Sequence, residues 1–189
     1  MDSALIVSCT EKAAAFFSEQ LNAASFKQIT ALQSCSEARR LLLERDFDLV
    51  ILNAPLRDET GESFARNIAS KGTAQVVLVV KSEHFDAISA VCEDDGVLVV
   101  ARPINKTVFW SALAFAKSAG NRMKRMQTEN EQLKQKIEDI RIVDRAKCLL
   151  ISCMNISEQE AHRAIEKQAM DMRSTKRAIA EEILKTYES

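Results

Sequence analysis

The stretch Asp46–Gly61, DFDLVILNAPLRDETG, decides the fold. Four aliphatic residues, Leu49–Leu52, end on a polar Asn53 and run at once into a loop holding Pro55, Asp58, Glu59 and Gly61. A run this short, with no polar alternation, reads as a strand covered on both faces, because a strand with one wet face alternates apolar and polar residues. Similar runs flank it at Ala4–Val7, Phe26–Ala31, Val76–Val80 and Val97–Ala101. Helical spacing fills the gaps. Lys12–Ala23 sets Ala13, Phe16, Phe17 and Leu21 on one face behind Thr10 as N-cap, and Glu37–Arg45 repeats Ala38, Leu41 and Leu42 behind Ser36. Glu62–Ser70, Phe85–Glu93 and Thr107–Ala119 complete the series, and the four glycines, 61, 72, 96 and 120, fall at element boundaries. Strands alternating with helices predict a doubly wound, five-stranded parallel α/β domain over residues 1–120. In such sheets ligands bind at the carboxyl ends of the strands, which here carry Ser8, Cys9, Asn53, Val80 and Arg102.

Composition bounds the rest. Of 189 residues, 47% are hydrophobic and 28% charged, a profile that supports a buried core in a soluble protein. Only 4 Gly and 2 Pro are present, too few for a collagenous or disordered chain. No apolar run approaches the roughly 18 residues of a membrane span, and MDSALIVSC lacks the basic start of a signal peptide. Five cysteines form no CxxC pair, so the expectation is reduced, buried thiols in a cytoplasmic protein. The net charge of −1 divides into −3 for residues 1–120 and +2 for 121–189. No metal-ligand spacing and no catalytic constellation stands out, so neither cofactor, metal nor enzymatic activity is expected.

After Gly120 the pattern changes to NRMKRMQTENEQLKQKIEDIRIV. Met123, Asn130 and Ile137 at a, with Ala119, Met126, Leu133 and Ile140 at d, keep an unbroken 3–4 spacing that predicts a coiled coil over 121–141. A lone Asn at a satisfies its amide against the same residue of a parallel partner, so Asn130 favours an in-register homodimer. An amphipathic helix folding back on its own chain is the alternative. Residues 142–189 are helical throughout. The linker helix continues through Ala146, Leu149, Leu150 and Cys153 and breaks near Asn155. Ser157 and Glu160 then form a capping box before a helix burying Ala161, Ala164, Ile165 and Ala169. Ser174 caps a last helix that turns Ile179, Ile183 and Leu184 inward.

Two resemblances follow from these residues. DFDLVILNAPLRDETG and GVLVVARPI resemble the third and fifth strand regions of response-regulator receiver domains. In that resemblance the acidic pair falls on Ser8 and Cys9, the phosphoacceptor on Asn53, the hydroxyl residue on Val80 and the lysine on Arg102, with Pro103 retained. An amide is a poor phosphoryl acceptor, and Ser and Cys supply no charge to hold Mg²⁺, so the resemblance implies a receiver without phosphotransfer. RAKCLLISCMNISEQEAHRAIEKQAMDMRSTKRAIAEEIL resembles the ANTAR module of AmiR/NasR-type antiterminators, with Cys148 and His162 as departures. It implies binding to stem-loops in leader transcripts, which prevents terminator formation. The residues expected at RNA are Arg145, Lys147, His162, Arg173, Lys176 and Arg177. Input would come from a partner protein or a small ligand at the receiver-like domain. A DNA-binding response regulator and a pure interaction adaptor remain as alternatives, and no membrane partner is expected.

Overall fold

In the computed structural model, which describes residues 2–72 and 74–187, the Leu49 run is the central strand of a sheet. Strands β1 (Ser3–Ser8), β2 (Gln28–Leu32), β3 (Leu49–Asn53), β4 (Gln75–Lys81) and β5 (Leu98–Arg102) are parallel, in the order β2-β1-β3-β4-β5. The chain divides into two compact units, Met1–Lys124 and Arg125–Ser189. Helices α1 (Glu11–Ala23), α2 (Cys35–Glu44), α3 (Glu62–Ser70) and α4 (Phe85–Cys92) belong to the first, and α5 spans Lys106–Met154.

Helices cover both faces of the sheet, which is why every residue of β3 is buried. Strand alternation sorts the core into two halves. Leu5, Val7, Val50, Leu52, Leu78 and Val80 pack with Ala38 of α2, Phe64 and Ile68 of α3 and Cys92 of α4. Ala4, Ile6, Leu49, Ile51, Val77 and Val79 pack with Phe17 and Leu21 of α1 and with Phe109, Leu113 and Ala116 of α5. Phe17 and Phe109 meet at 5.5 Å between ring centroids. Burying either ring contributes about 1.5–3 kcal/mol, so this pair anchors α5 to the sheet. Asp48 is a second anchor. It accepts from the backbone N–H groups of Asp2 and Ser3 and from Lys124 Nζ. Its burial opposes ionisation, but these donors outweigh it and hold the carboxyl well below the usual carboxylate range.

Several local expectations need correction. Phe26 lies in a loop, and β2 starts at Gln28; the ring is apolar because it plugs the core beside α1. Ser34, not Ser36, caps α2 by accepting from Glu37 N–H at 3.3 Å. Ser36 donates instead to Asp58, which also accepts the backbone N–H groups of Cys35 and Ser36 at 3.0 and 2.8 Å. Gly120 lies inside α5, since one glycine costs a helix only about 1 kcal/mol relative to Ala and the apolar pattern continues past it. Gly61 does serve as expected: its φ of 89° starts α3, where a side chain would be strained. Cys35 and Cys92 are buried, whereas Cys9 is partly exposed and Cys148 and Cys153 are exposed.

The second unit contains the later part of α5, α6 (Glu158–Asp171) and α7 (Lys176–Tyr187). Asn155, at φ 53°, turns the chain after α5. The capping box is complete: Ser157 N–H donates to Glu160 Oε2 at 2.8 Å, and Glu160 N–H donates to Ser157 Oγ at 3.3 Å. The α7 cap is Thr175, whose Oγ1 accepts from Ala178 N–H at 3.2 Å, in place of Ser174. Ala146, Leu150, Ala161, Ile165, Ala169, Ile179, Ala180 and Ile183 form the core, with Leu184 packed against it. Ala164 is exposed, because the inward stripe of α6 steps by four through 161, 165 and 169. Among the described residues no helix is long and apolar enough to cross a membrane.

Candidate functional site

Parallel register sets Ser8 beside Asn53 at the ends of β1 and β3. Asn53 Nδ2 donates to Ser8 Oγ at 3.1 Å, and Ser8 Oγ donates to the Thr10 carbonyl at 3.2 Å. Arg102, at the end of β5, donates through Nη2 to the Ala54 carbonyl. Cys9 turns toward the β3–α3 loop, with Sγ 3.5 Å from the Pro55 carbonyl. A cavity of about 370 Å³ opens here, lined by Thr10, Lys12, Ala13, Phe16, Phe17, Asn53, Arg102, Pro103 and Ile104. Val80 does not belong to it. Strand alternation puts Val79 on the Asn53 side and sends Val80 into the opposite half of the core.

The cavity has a definite electrostatic character. Among the described residues its charged side chains are Lys12 and Arg102, and no carboxylate lines it. Asn53 Oδ1 and Arg102 Nε are buried without a hydrogen-bond partner among the described residues. An unmet buried group costs about 1–3 kcal/mol, so both invite a guest. Mg²⁺, which the receiver fold implies at this place, does not fit: the hard dication seeks carboxylate oxygens and meets two cations and neutral groups. The loop carboxylates do not substitute. The N–H groups of Cys35 and Ser36 pull Asp58 down to about 2. Glu59 pairs with Arg39 at 2.7 Å.

A second feature lies in the helical unit. Asp139, Ile140, Val143, Asp144 and Lys147 of α5, His162 of α6, and Thr175, Lys176 and Arg177 line a groove of about 390 Å³. Four residues expected at RNA therefore meet in one place: Lys147, His162, Lys176 and Arg177. Arg145 and Arg173 do not line it. Arg145 is two positions before Lys147, which rotates it to another face of α5, and Arg173 sits at φ 49° in the turn between α6 and α7.

Each cation of the groove faces a carboxylate. Lys147 lies 2.8 Å from Asp144 and 3.2 Å from Glu158, which raise its pKa, Asp144 more strongly. Arg177 pairs with Asp139 at 2.7 Å and Glu181 at 2.8 Å. The guanidinium in turn holds Asp139 below its ordinary value. Glu166 receives Lys176 and stands 3.2 Å from His162, and Lys176 chiefly lowers its pKa. Counting cations along the sequence missed this compensation. The set expected at RNA also left out Arg163 and Lys167, which are exposed, one turn apart, and opposite the buried 161/165/169 stripe. Arg163 acts electrostatically on Glu160, one turn before it on α6, and Met170, 78% exposed, extends the face of Arg163 and Lys167. The signal was available: i, i+4 spacing with the reverse phase of the core.

A receiver-like α/β domain followed by a helical module is the organisation of a response regulator with an attached output domain. Residues 131–184 match the ANTAR domain, so the chain carries an ANTAR domain there. The chain is 27% identical over 139 residues to the transcriptional regulatory protein PdtaR of Mycobacterium tuberculosis, covering 74% of this chain and 68% of that one. It is 27% identical over 119 residues to the aliphatic amidase regulator of Pseudomonas aeruginosa, covering 62% and 61%. The signal receiver domain of an HD domain-containing protein from Pseudomonas fluorescens Pf-5 superposes with a TM-score of 0.57 at 18% identity, covering 66% of this chain and 92% of that one. That likeness shows the receiver fold.

Proposed function

We propose that this chain is an RNA-binding transcription antiterminator whose helical module binds stem-loops in leader mRNA and prevents terminator formation. The observation that carries the reading is the coincidence of the ANTAR match, residues 131–184, with the groove that gathers Lys147, His162, Lys176 and Arg177. The RNA-contacting set comprises these four with Arg145 and Arg173, joined by Arg163 and Lys167 on α6. Because the groove cations are already paired, phosphates must exchange with carboxylates there, so net affinity per module is low. Residues 1–120 act as an input domain that needs no phosphoryl group, residues 121–141 as a coiled-coil dimerisation linker and residues 142–189 as the RNA-binding module. The dimer is supported by the stripe Met123, Met126, Leu133, Ile137 and Ile140, each between 47% and 61% exposed along α5. Large apolar side chains repeating on one helix face gain free energy when a partner covers them. A partner protein or small ligand at the receiver-like domain would then control the availability of the modules. The test is a gel shift of the full chain with hairpin RNA and with duplex DNA of the same sequence. A shift of the hairpin alone is the expected result, and a preference for duplex DNA would overturn the reading.

A further inference from the structure

Two side chains that line the cavity at the strand ends, Asn53 and Arg102, each carry a buried polar atom with no partner among the described residues, and the two are of opposite sense. Asn53 Oδ1 is an acceptor without a donor, and Arg102 Nε is a donor without an acceptor. Asn53 is only 4% exposed, so bulk water does not satisfy it. Beside them stand Lys12 and the start of α1, a 13-residue helix whose N-cap Thr10 makes no side-chain capping bond, so its first N–H groups and dipole also favour an anion. Phe16, Pro103 and Ile104 supply an apolar wall. The volume, about 370 Å³, is at the small end of the ligand-pocket range.

The complement of this surface has three parts: an oxyanion for Arg102 and Lys12, a hydrogen-bond donor close to it for Asn53 Oδ1, and a short apolar tail. We propose that the cavity binds a small α-amino or α-hydroxy carboxylate with an aliphatic side chain. Its carboxylate takes Arg102 Nε and Lys12, its α-substituent donates to Asn53, and its tail lies on the Phe16–Pro103 wall. Inorganic phosphate answers the cations but has no apolar part. A free metal cation answers only Asn53 and is repelled by the two positive side chains. The proposal deepens the reading of residues 1–120 as a phosphate-independent input domain, and it names the chemistry of that input.

The test is calorimetric titration of the full chain with L-leucine and L-2-hydroxyisocaproate. Three probes each lack one part: 4-methylpentanoate has no α-donor, isoamylamine no carboxylate, and inorganic phosphate no tail. Saturable binding of the amino acid or the hydroxy acid, at least tenfold tighter than all three probes, is expected, and which of the two wins identifies the α-substituent. Binding should move the Arg102 Nε–H resonance in a ¹⁵N spectrum. Arg102→Met should weaken it tenfold or more, and Lys12→Met, at an exposed position that leaves the fold intact, severalfold. Binding of neither acid, binding of 4-methylpentanoate or phosphate as tight as theirs, or unchanged affinity in both variants would overturn the proposal. Hairpin RNA is titrated on the same samples. RNA binding without acid binding sinks the ligand inference and leaves the antiterminator reading standing, and acid binding without RNA binding does the reverse.

Discussion

At the scale of single residues, Asp58 shows how a loop carboxylate in the receiver-like domain serves structure. It caps α2 from outside the helix through Cys35 and Ser36 N–H. Asp58→Asn should destabilise the domain by about 1 kcal/mol at pH 7, the usual worth of a helix cap at an exposed site. The sign of the pH dependence follows from the lowered pKa, 3.8 unfolded against about 2 folded. The Asp58 contribution is complete above pH 4 and fades as pH falls through about 2, so the gap between wild type and variant in urea midpoints should close over that interval. A gap that stays constant from pH 7 to pH 2 would show that the carboxylate charge is not involved. Arg173 and Lys176 form a second residue-scale case. Arg173→Ala with Lys176→Ala removes two cations while leaving the buried α6–α7 contacts of Ile165 and Ile179. Circular dichroism should stay unchanged. Affinity for hairpin RNA should fall, and the salt dependence of binding should become shallower by roughly 0.7–0.9 for each phosphate no longer neutralised.

At the scale of elements, α5 does two kinds of work along its 49 residues. Phe109, Leu113 and Ala116 bury one face against the sheet, and further on the a/d stripe stands exposed around Asn130. Wild type should sediment as a dimer at micromolar concentration, and Leu133→Asp as a monomer. Asn130→Leu should raise stability but admit other registers or oligomers, because the buried amide trades affinity for specificity. A monomeric wild type would remove the basis for the dimer.

For the whole molecule, the proposed coiled coil would hold two identical weak modules and make the second contact intramolecular. Avidity of about 10²–10⁴ over one module is the general expectation for such linkage. Leu133→Asp should therefore weaken binding to a two-hairpin RNA far more than to one hairpin, and equal losses on both would refute the bivalent mechanism. The input domain carries its own test. Incubation with acetyl phosphate and Mg²⁺ should yield no phosphoprotein by intact mass, and Asn53→Asp alone should not restore one. Ser8 and Cys9 still offer no carboxylate, and Arg102 keeps its bond to Ala54. A stable adduct at position 53 in wild type would contradict the phosphate-independent reading.

Much of this protein was legible in one dimension, because the features that announce it are local. A four-residue apolar run such as Leu49–Leu52 must be covered on both faces wherever it sits. A 3–4 apolar spacing needs a helix, and Ser157 with Glu160 is a capping box by spacing alone. The sequence by itself therefore determined the five-stranded α/β domain, the helix that runs on from residue 121 and the helical module, together with the absence of carboxylates at the strand ends, whereas the continuity of α5 through Gly120 came only with the structure. Tertiary structure decided whatever depends on which distant residues meet. Only strand register and alternation could exclude Val80 from the cavity and leave Asn53 Oδ1 and Arg102 Nε facing no partner. Only the packing of α5, α6 and α7 could match Arg177 to Asp139, 38 residues away, and Lys176 to Glu166. Charge along a chain adds up without regard to fold, but the field a phosphate would meet depends on the few ångströms between each cation and its carboxylate.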